Sequence, residues 1–399
     1  MFINVIPAWI AFIIVISLIL IFSKKELGVI LCIGTIIFGI LTQVSLIESL
    51  ITVLIDPSII LLAIAVALIP ILGGIMEESG LMVELIQKMN ISKKASLIVS
   101  PAFFGLLPVP GGALMSAPIV DQIDPSINVN RKVAINVWYR HALILIYPLS
   151  TILIVGSVLA GISLYVIVIA MIIPFIIMIL VGYFTLIRSL DIEPVEYERD
   201  FKRVLRNMVP IIIAPIIDFL GRTFFNFSYP EIFLVVGLCL SIGIASIISN
   251  ISLTELKNIT NKMRIWRFPL LIIAIFWFLE VFIASGLPQD IGALEIPFLF
   301  FICLGFGLGF ATGRTQLPLS ILIPIYLIQY GLTIMSLIDF VFLYSATFLG
   351  YLVTPIHPCV SYSVNYLKTD YKSVFKYLAI PTSLCFGVLV ISYGIFLIL

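Results

Sequence analysis

The chain has 399 residues, of which 62% are hydrophobic and only 11% are charged. Its apolar runs repeatedly reach the roughly 20 residues that a helix needs to cross a bilayer. The formal net charge of +1 gives no basic surface for nucleic acid, so nucleic-acid binding is excluded. The composition predicts an all-α, polytopic protein of the cell membrane, in contact with lipid.

Motifs for other chemistries are missing from the sequence. It contains no phosphate-binding GxxxxGK[ST], no zinc-binding HExxH and no GxSxG nucleophile elbow. Its five cysteines are scattered and fit neither a disulfide framework nor a Cys-x-x-Cys metal site. We therefore expect no catalytic site, no bound metal and no cofactor other than Na⁺ or H⁺ as a coupling ion.

Ten apolar runs predict about ten transmembrane helices. The runs lie near residues 4–22, 27–46, 58–76, 132–152, 163–187, 208–226, 231–249, 267–286, 334–353 and 376–397. Two further apolar segments, 95–120 and 297–326, are interrupted by glycine, proline and polar residues. Each could cross once as a kinked helix, or enter and leave on the same side as a re-entrant hairpin.

The positions of basic residues favour two re-entrant hairpins. If both segments turn back, one side of the membrane receives nearly all the basic loop residues, as the positive-inside rule requires. These are Lys24, Lys25, Lys88, Lys93, Lys94, Arg131, Lys132, the clusters at 188–206 and 257–267, and Lys368, Lys372 and Lys376. The basic loops are then cytoplasmic and both termini extracellular. The kinked-span alternative stays open, because proline kinks are common in membrane helices.

The sequence contains signs of an internal repeat. Ser-Gly-Leu at residues 79–81 recurs at 285–287, and the same offset of 206 (285 − 79) relates Phe104 to Phe310 and Pro118 to Pro324. Five predicted spans separate the copies, so the second half is inverted. We predict an N-terminal repeat at 1–190 with hairpin 95–120, a cytoplasmic connector at 191–207, and a C-terminal repeat at 208–399 with hairpin 297–326.

The two hairpin tips are the predicted solute site. Interrupted segments at matching places in inverted repeats mark the site of many transporters, and half-helix N-termini there suit an anion. Unwound carbonyls suit Na⁺. The candidate residues are Pro110, Gly111, Gly112 and Ser116 at the first tip, and Thr312, Gly313, Arg314, Thr315 and Gln316 at the second.

Arg314 is the most informative single residue. An arginine inside a span costs at least ~2.5 kcal/mol on insertion scales and usually faces a cavity or a partner. Its planar guanidinium suits a carboxylate. The alternatives are an ion pair with Glu280, Glu77 or Asp218, or snorkelling to the surface.

The two histidines of the chain follow the two interrupted segments. His141 lies in NVWYRHALILIYP and His357 in TPIHPCVSYSVNY. Imidazole titrates near neutral pH, so either is a candidate for pH coupling; a structural, hydrogen-bonded role is the alternative. Thr354 and Ser361 beside His357 are candidate ion ligands, as is Asp218. Asp218 and Arg222 stand four apart on one helix face, which favours a structural pair.

The stretches PVPGGALMSAP, NVWYRHALILIYP and TPIHPCVSYSVNY resemble an uncharacterised prokaryotic membrane family of the ion transporter superfamily, the domain of unknown function 401 type. The resemblance covers nearly the whole chain and implies a secondary transporter of two inverted halves, each with a hairpin. Many relatives are homodimers with a fixed scaffold and a moving transport domain; they carry dicarboxylates, citrate, gluconate, arsenite, or Na⁺ and H⁺. Dicarboxylate members have Ser-Asn-Thr at each tip, where this chain has Pro-Gly-Gly and Thr-Gly-Arg-Thr.

We therefore predict an ion-coupled secondary active transporter, a symporter of a small carboxylate-like organic anion. One rival is a Na⁺/H⁺ antiporter without an organic substrate, with Asp218 as its membrane carboxylate. Another is an intramembrane hydrolase, which requires Ser116 within hydrogen-bond reach of a histidine.

Overall fold

The computed structural model describes residues 6–22, 25–89, 91–106, 112–190 and 200–398. Every regular element in these ranges is helical, and no strand occurs among them. Seven helical segments of the described chain are long and apolar enough to cross a membrane, when Leu164–Ile187, which joins two helices and a π turn, and Leu337–Tyr366, which joins two helices, are each counted as one. The prediction of an all-α polytopic membrane protein is confirmed.

The helices fall into two sets separated by residues 191–199, which lie outside the described ranges. The first set is α1 (Ala8–Ile21), α2 (Leu27–Thr42), α3 (Leu46–Ile55), α4 (Pro57–Glu78), α5 (Leu81–Lys88), α6 (Lys93–Leu106), α7 (Gly112–Ile123), α8 (Val129–Arg140), α9 (Thr151–Ala160), α10 (Leu164–Ala170) and α11 (Ile172–Gly182). A 3₁₀ turn at Leu143–Leu145 precedes α9, and a π-helical turn at Tyr183–Ile187 extends α11. The second set is α12 (Phe201–Phe224), α13 (Glu231–Ser249), α14 (Leu253–Met263), α15 (Arg267–Ala284), α16 (Leu287–Gly292), α17 (Phe298–Thr312), α18 (Gln316–Gln329), α19 (Leu337–Val353), α20 (Pro358–Tyr366) and α21 (Tyr371–Phe396).

The two sets repeat the same order of elements at a nearly constant spacing. Shifted by 206, α4 ends at 284, where α15 ends, and α6 ends at 312, where α17 ends. Gly80 and Gly286 both have left-handed backbones, with φ of 73° and 74°, and each begins the short helix that follows. Glycine adopts this conformation without the Cβ clash that other residues meet. The same turn therefore occurs twice, 206 residues apart.

The second predicted interruption is present between α17 and α18, whereas the first falls on residues 107–111, which lie outside the described residues. Segment 95–120 contains most of α6 and most of α7, and segment 297–326 contains α17 and most of α18. The longest of these four helices has 15 residues, which gives about 22 Å, less than the roughly 30 Å hydrocarbon core. In each segment the two helices contact one another.

The expected continuous span at 132–152 is wrong. Helix α8 ends at Arg140 and α9 begins at Thr151, with irregular chain and one 3₁₀ turn between them. Pro148 lies in this break, and proline removes a helical hydrogen bond and clashes with the preceding turn. The second half has a matching break at 354–357, where α19 ends and α20 begins.

The predicted connector at 191–207 is too long at its C-terminal end. Helix α12 already begins at Phe201, and Asp200 caps it by accepting a hydrogen bond from the Arg203 amide at 3.1 Å. A side-chain cap of this kind satisfies an amide that has no partner inside the helix. The charged residues 200–206 therefore form the first turns of a helix.

The described helices pack as two groups, each drawn from both halves. In one group α15 packs on α2, α3 and α4, and α12 packs on α5 and α13. In the other group α20 packs on α7 and α8, and α18 packs on α9. The helix pairs α8–α9 and α19–α20, each separated by a break, belong to the second group. Non-helical backbone from both halves therefore lies within this group.

Candidate solute-binding site

A cavity of about 240 Å³ lies where the broken helices of both halves meet. One wall comes from the ends of α6, α8, α9, α18 and α20, with the turn between α17 and α18. The lining also includes apolar side chains from α4 and α15, namely Val66, Phe268, Leu271 and Ile272. The cavity therefore lies between the two packing groups.

Two arginines line this cavity, one from each half. Arg140 is the last residue of α8, and Arg314 lies in the turn between α17 and α18. The left-handed Gly313, with φ of 61°, shapes that turn. Within the described residues the Arg314 side chain makes no hydrogen bond or ion pair. An arginine placed in this way is available to a solute.

The ion pairs that were the alternative for Arg314 do not form. Asp218 instead accepts hydrogen bonds from Arg222 Nε and the Tyr165 hydroxyl, each at 2.8 Å. No bond joins Arg314 to Glu77 or Glu280 in the described part of the chain. Arg314 is half-buried and borders the cavity.

Three helix N-termini also border the cavity. Helices α9, α18 and α20 begin there, through Thr151, Gln316 and Pro358. Their N-cap residues, Ser150, Thr315 and His357, make no capping hydrogen bond with their side chains. The first amides of a helix lack partners within it and carry the positive end of its dipole. Three such ends around one space favour an anion there.

The two histidines, which follow the predicted hairpins, meet in this cavity. Their ring centroids are 4.6 Å apart at an interplanar angle of 79°. His141 Nδ1 lies 2.6 Å from the Val137 carbonyl oxygen, and Nε2 lies 3.5 Å from the Tyr351 hydroxyl. Because a carbonyl only accepts, Nδ1 carries the hydrogen and Nε2 presents a lone pair. Neither ring nitrogen of buried His357 has a hydrogen-bond partner among the described residues.

A glycine brings the first interrupted segment into the site. A Cβ built on Gly105 would lie 1.7 Å from the carbonyl oxygen of Arg140. Helix α6 therefore approaches the end of α8 more closely than any side chain allows. This approach places Gly105 and Leu106 in the cavity wall beside Arg140 and His141.

The charged side chains in the described wall of the cavity are all positive. This wall contains two arginines and no carboxylate. The nearby Arg267 on α15 is ion-paired with Glu26, the N-cap residue of α2. The Glu77 carboxylate of α4 interacts electrostatically with Lys262 and Arg140. An anion that enters finds positive charge already fixed in place.

Three of the predicted tip residues line the cavity, and the other described ones do not. Gly313, Arg314 and Gln316 line it. Pro110 and Gly111 lie outside the described residues, and Gly112 begins α7. Ser116 is buried in α7, where it donates to the Ala113 carbonyl and accepts from Arg140. Thr312 donates to the Leu308 carbonyl at 2.7 Å, and the buried Thr315 hydroxyl has no partner among the described residues.

The predicted ion ligands are not gathered at the cavity. Buried Thr354 accepts a long hydrogen bond of 3.5 Å from the Ile356 amide, and Ser361 is exposed. Asp218 lies on α12 with Arg222 and Tyr165. A metal ion has one set of possible ligands, because atoms of His141, His357 and Cys359 lie within 4.8 Å of one another.

Sequence reasoning missed Arg140, Tyr351 and Cys359, which all line the cavity. Arg140 carried a usable signal, since it is an arginine inside an apolar run, as Arg314 is. Tyr351 and Cys359 carry no comparable signal, because tyrosine and cysteine are ordinary in membrane helices.

Comparison with known proteins places the chain. Residues 7–396 match the family described as "Protein of unknown function (DUF401)". The chain belongs to this family. This DUF401 protein also resembles the crystal structure of the Alcanivorax borkumensis YdaH transporter, with a TM-score of 0.57 and 16% sequence identity over 83% of this chain and 85% of that chain. At this identity the likeness shows the fold alone. No curated protein matches the sequence.

Proposed function

We propose that this DUF401 protein is an ion-coupled secondary active transporter of a small, carboxylate-like organic anion. The observation that carries the proposal is the charge of the cavity, whose described wall has two arginines, three helix N-termini and no carboxylate. Hydrogen bonds from ionised donors to a carboxylate are roughly twice as strong as neutral ones. The anion would bind Arg314 and the first N–H groups of α9, α18 and α20, where α20 offers the amide of Cys359 because Pro358 has none.

The position of the cavity supports transport rather than simple binding. It lies between the group that contains α4 and α15 and the group of broken helices. Movement of one group against the other would open the cavity to each side in turn, as in transporters with inverted repeats. In this proposal the α6–α7 and α17–α18 pairs are re-entrant hairpins from opposite faces. The basic loops are cytoplasmic and both termini extracellular.

The geometry favours this function over its rivals. A Na⁺/H⁺ antiporter would use a carboxylate, but Asp218 is bonded to Arg222 and Tyr165 on α12 and does not line the cavity. A hydrolase would need a serine and histidine in contact. Ser116 bonds to Ala113 and Arg140, while the His141 nitrogens face Val137 and Tyr351 and those of His357 have no partner in the described chain.

The test is uptake by purified protein in proteoliposomes. Labelled lactate, gluconate, succinate and citrate are offered under separate Na⁺ and pH gradients, with protein-free liposomes as the blank. The proposal expects at least one anion to accumulate above its external concentration when one gradient is imposed. Failure of all four to accumulate under either gradient would contradict it.

A further inference from the structure

The contact between His141 and His357 has a chemical consequence for the coupling ion. His141 presents the lone pair of Nε2, since its Nδ1 donates to the Val137 carbonyl. His357 is buried, and both of its ring nitrogens lack a partner among the described residues. A buried polar group without a hydrogen bond is unfavourable, so the unpartnered ring of His357 calls for a ligand. In the described chain, His141 Nε2 has the Tyr351 hydroxyl at 3.5 Å, and the His357 nitrogens have no donor.

The groups that face the pair are positive or neutral. Arg140 lies beside the rings at the end of α8, and Arg314 approaches from the turn between α17 and α18. Helix α19 contributes Tyr351, whose ring lies 4.2 Å from that of His357. Helix α20 contributes Cys359. No carboxylate acts on either imidazole within the described chain.

Binding of an anion in this cavity therefore favours binding of a proton, and the reverse. With the cavity empty of anion, two guanidinium groups oppose a positive charge on the rings. An anion between Arg314 and His357 supplies the missing negative charge and an acceptor for an imidazolium N–H. Two imidazoles in contact do not both carry a charge, since like charges at that distance repel.

We infer that the His141–His357 pair takes up one proton together with the anion, so that the protein is an anion–proton symporter. This inference rests on the proposed function and specifies its coupling ion. One H⁺ and one anion enter from the same side, the imidazolium and the anion cross as a pair, and both are released on the other side. For a monoanion such as gluconate the step moves no net charge.

A metal ion is the competing occupant of the same atoms. Two imidazole nitrogens and the Cys359 sulfur are a ligand set that Zn²⁺ accepts. Two arginines beside this set oppose a divalent cation. Histidines that bind metal nearly always donate their second ring nitrogen to a partner, and His357 lacks such a partner in the described chain. The geometry suits a proton better.

The test compares His141→Gln and His357→Gln with the wild type in proteoliposomes, using lactate, gluconate, succinate and citrate. Wild-type accumulation should rise at least fivefold when the outside is more acidic, and should not rise with a Na⁺ gradient. Both variants should lose accumulation driven by the pH gradient. They should still exchange labelled for unlabelled anion at equal pH, because Arg314 remains. Asn365→Gln, on the exposed face of α20, is the matched control and should behave as the wild type.

A measurement on the wild type alone guards against variants that do not fold. In weakly buffered detergent solution with a pH dye, binding of the anion should withdraw about one proton for each anion bound. Binding without proton uptake, accumulation driven by Na⁺ alone, or the loss of exchange along with accumulation in both variants would overturn the inference and leave the proposed function standing. Failure of the wild type to accumulate any of the four anions would overturn both.

Discussion

Gly105 and the carbonyl of Arg140 are in contact so close that a methyl group on Gly105 would lie 1.7 Å from the oxygen. Gly105 is the last residue but one of α6, Arg140 is the last residue of α8, and both line the cavity. The absence of a side chain at one position thus fixes how an interrupted segment meets a broken helix.

Gly105→Ala should disrupt the site. The added methyl group must displace backbone, and such overpacking costs about 1–3 kcal/mol or more. We expect a lower thermal unfolding midpoint in detergent and at least tenfold weaker anion uptake. Gly243→Ala is the control, because a Cβ on this α13 glycine meets no atom within 4 Å. It should stabilise the protein by about 0.5–1 kcal/mol. Equal thermal midpoints for the two variants would contradict the contact.

Arg314→Gln should abolish anion uptake without unfolding the protein. The Arg314 side chain has no described protein partner to lose, and glutamine removes only the charge and the guanidinium fork. We expect uptake to fall at least a hundredfold, with a thermal midpoint within 2 °C of wild type, since removal of an exposed or cavity-facing charge changes stability by about 0.5 kcal/mol or less. Arg264→Gln, at an exposed arginine after α14, is the matched control and should transport normally. Normal uptake by Arg314→Gln would remove Arg314 from the site.

Asp218→Asn should change stability and leave transport intact. Buried Asp218 accepts from Arg222 and Tyr165, and the loss of its charge weakens both bonds. A hydrogen bond to a charged group contributes about 1.5–3 kcal/mol, so a drop in the unfolding free energy of that order is expected. Uptake per folded molecule should equal that of wild type. The control Asp290→Asn, at an exposed residue of α16, should alter neither property. Loss of a Na⁺-dependent activity in Asp218→Asn alone would favour the antiporter instead.

Glu84 should make stability depend on acid pH. Its carboxylate on α5 accepts from Asn207 at 2.9 Å and from Arg203 and Arg206 at 3.1 Å, all on α12. The Asn207 bond, followed by the arginines, holds the pKa of Glu84 below its usual value. A carboxyl whose pKa is lowered by folding stabilises the protein above its unfolded pKa of about 4.3, and this contribution is lost as pH falls through the folded pKa.

The measurement is the thermal midpoint of wild type minus that of Glu84→Gln between pH 7 and pH 3. The difference between the two midpoints should be constant near neutral pH and should shrink toward zero below about pH 4. A difference that persists unchanged at pH 3 would show that the contact between α5 and α12 does not depend on the charge of Glu84.

Much of the fold could be predicted from the sequence, because an apolar run of about 20 residues is typical of a membrane-spanning helix. Helices α4, α13 and α15 begin and end within a few residues of their predicted spans. The break between α8 and α9 was missed because the run stays apolar through it, with Pro148 as the one local sign. Helix α3 was missed because its ten residues are too few to cross a bilayer.

For the site, the sequence allowed single residues to be predicted but not their arrangement. Arg314 stood out by its charge, and the two histidines by their matching places after the interrupted segments. Their contact was not readable, because it joins residues 216 apart (357 − 141) and depends on the packing of α20 against α7 and α8. Local sequence patterns specify helices and their breaks, whereas the meeting of two breaks is a property of the packed halves.

The most direct test of the central claim is an experimental structure with a saturating concentration of whichever anion the uptake assay identifies. The account predicts density for that anion in the cavity between α6, α8, α18 and α20. A carboxylate oxygen should lie about 2.7–2.9 Å from the Arg314 guanidinium. An anion bound at full occupancy elsewhere, with this cavity left without it, would contradict the account.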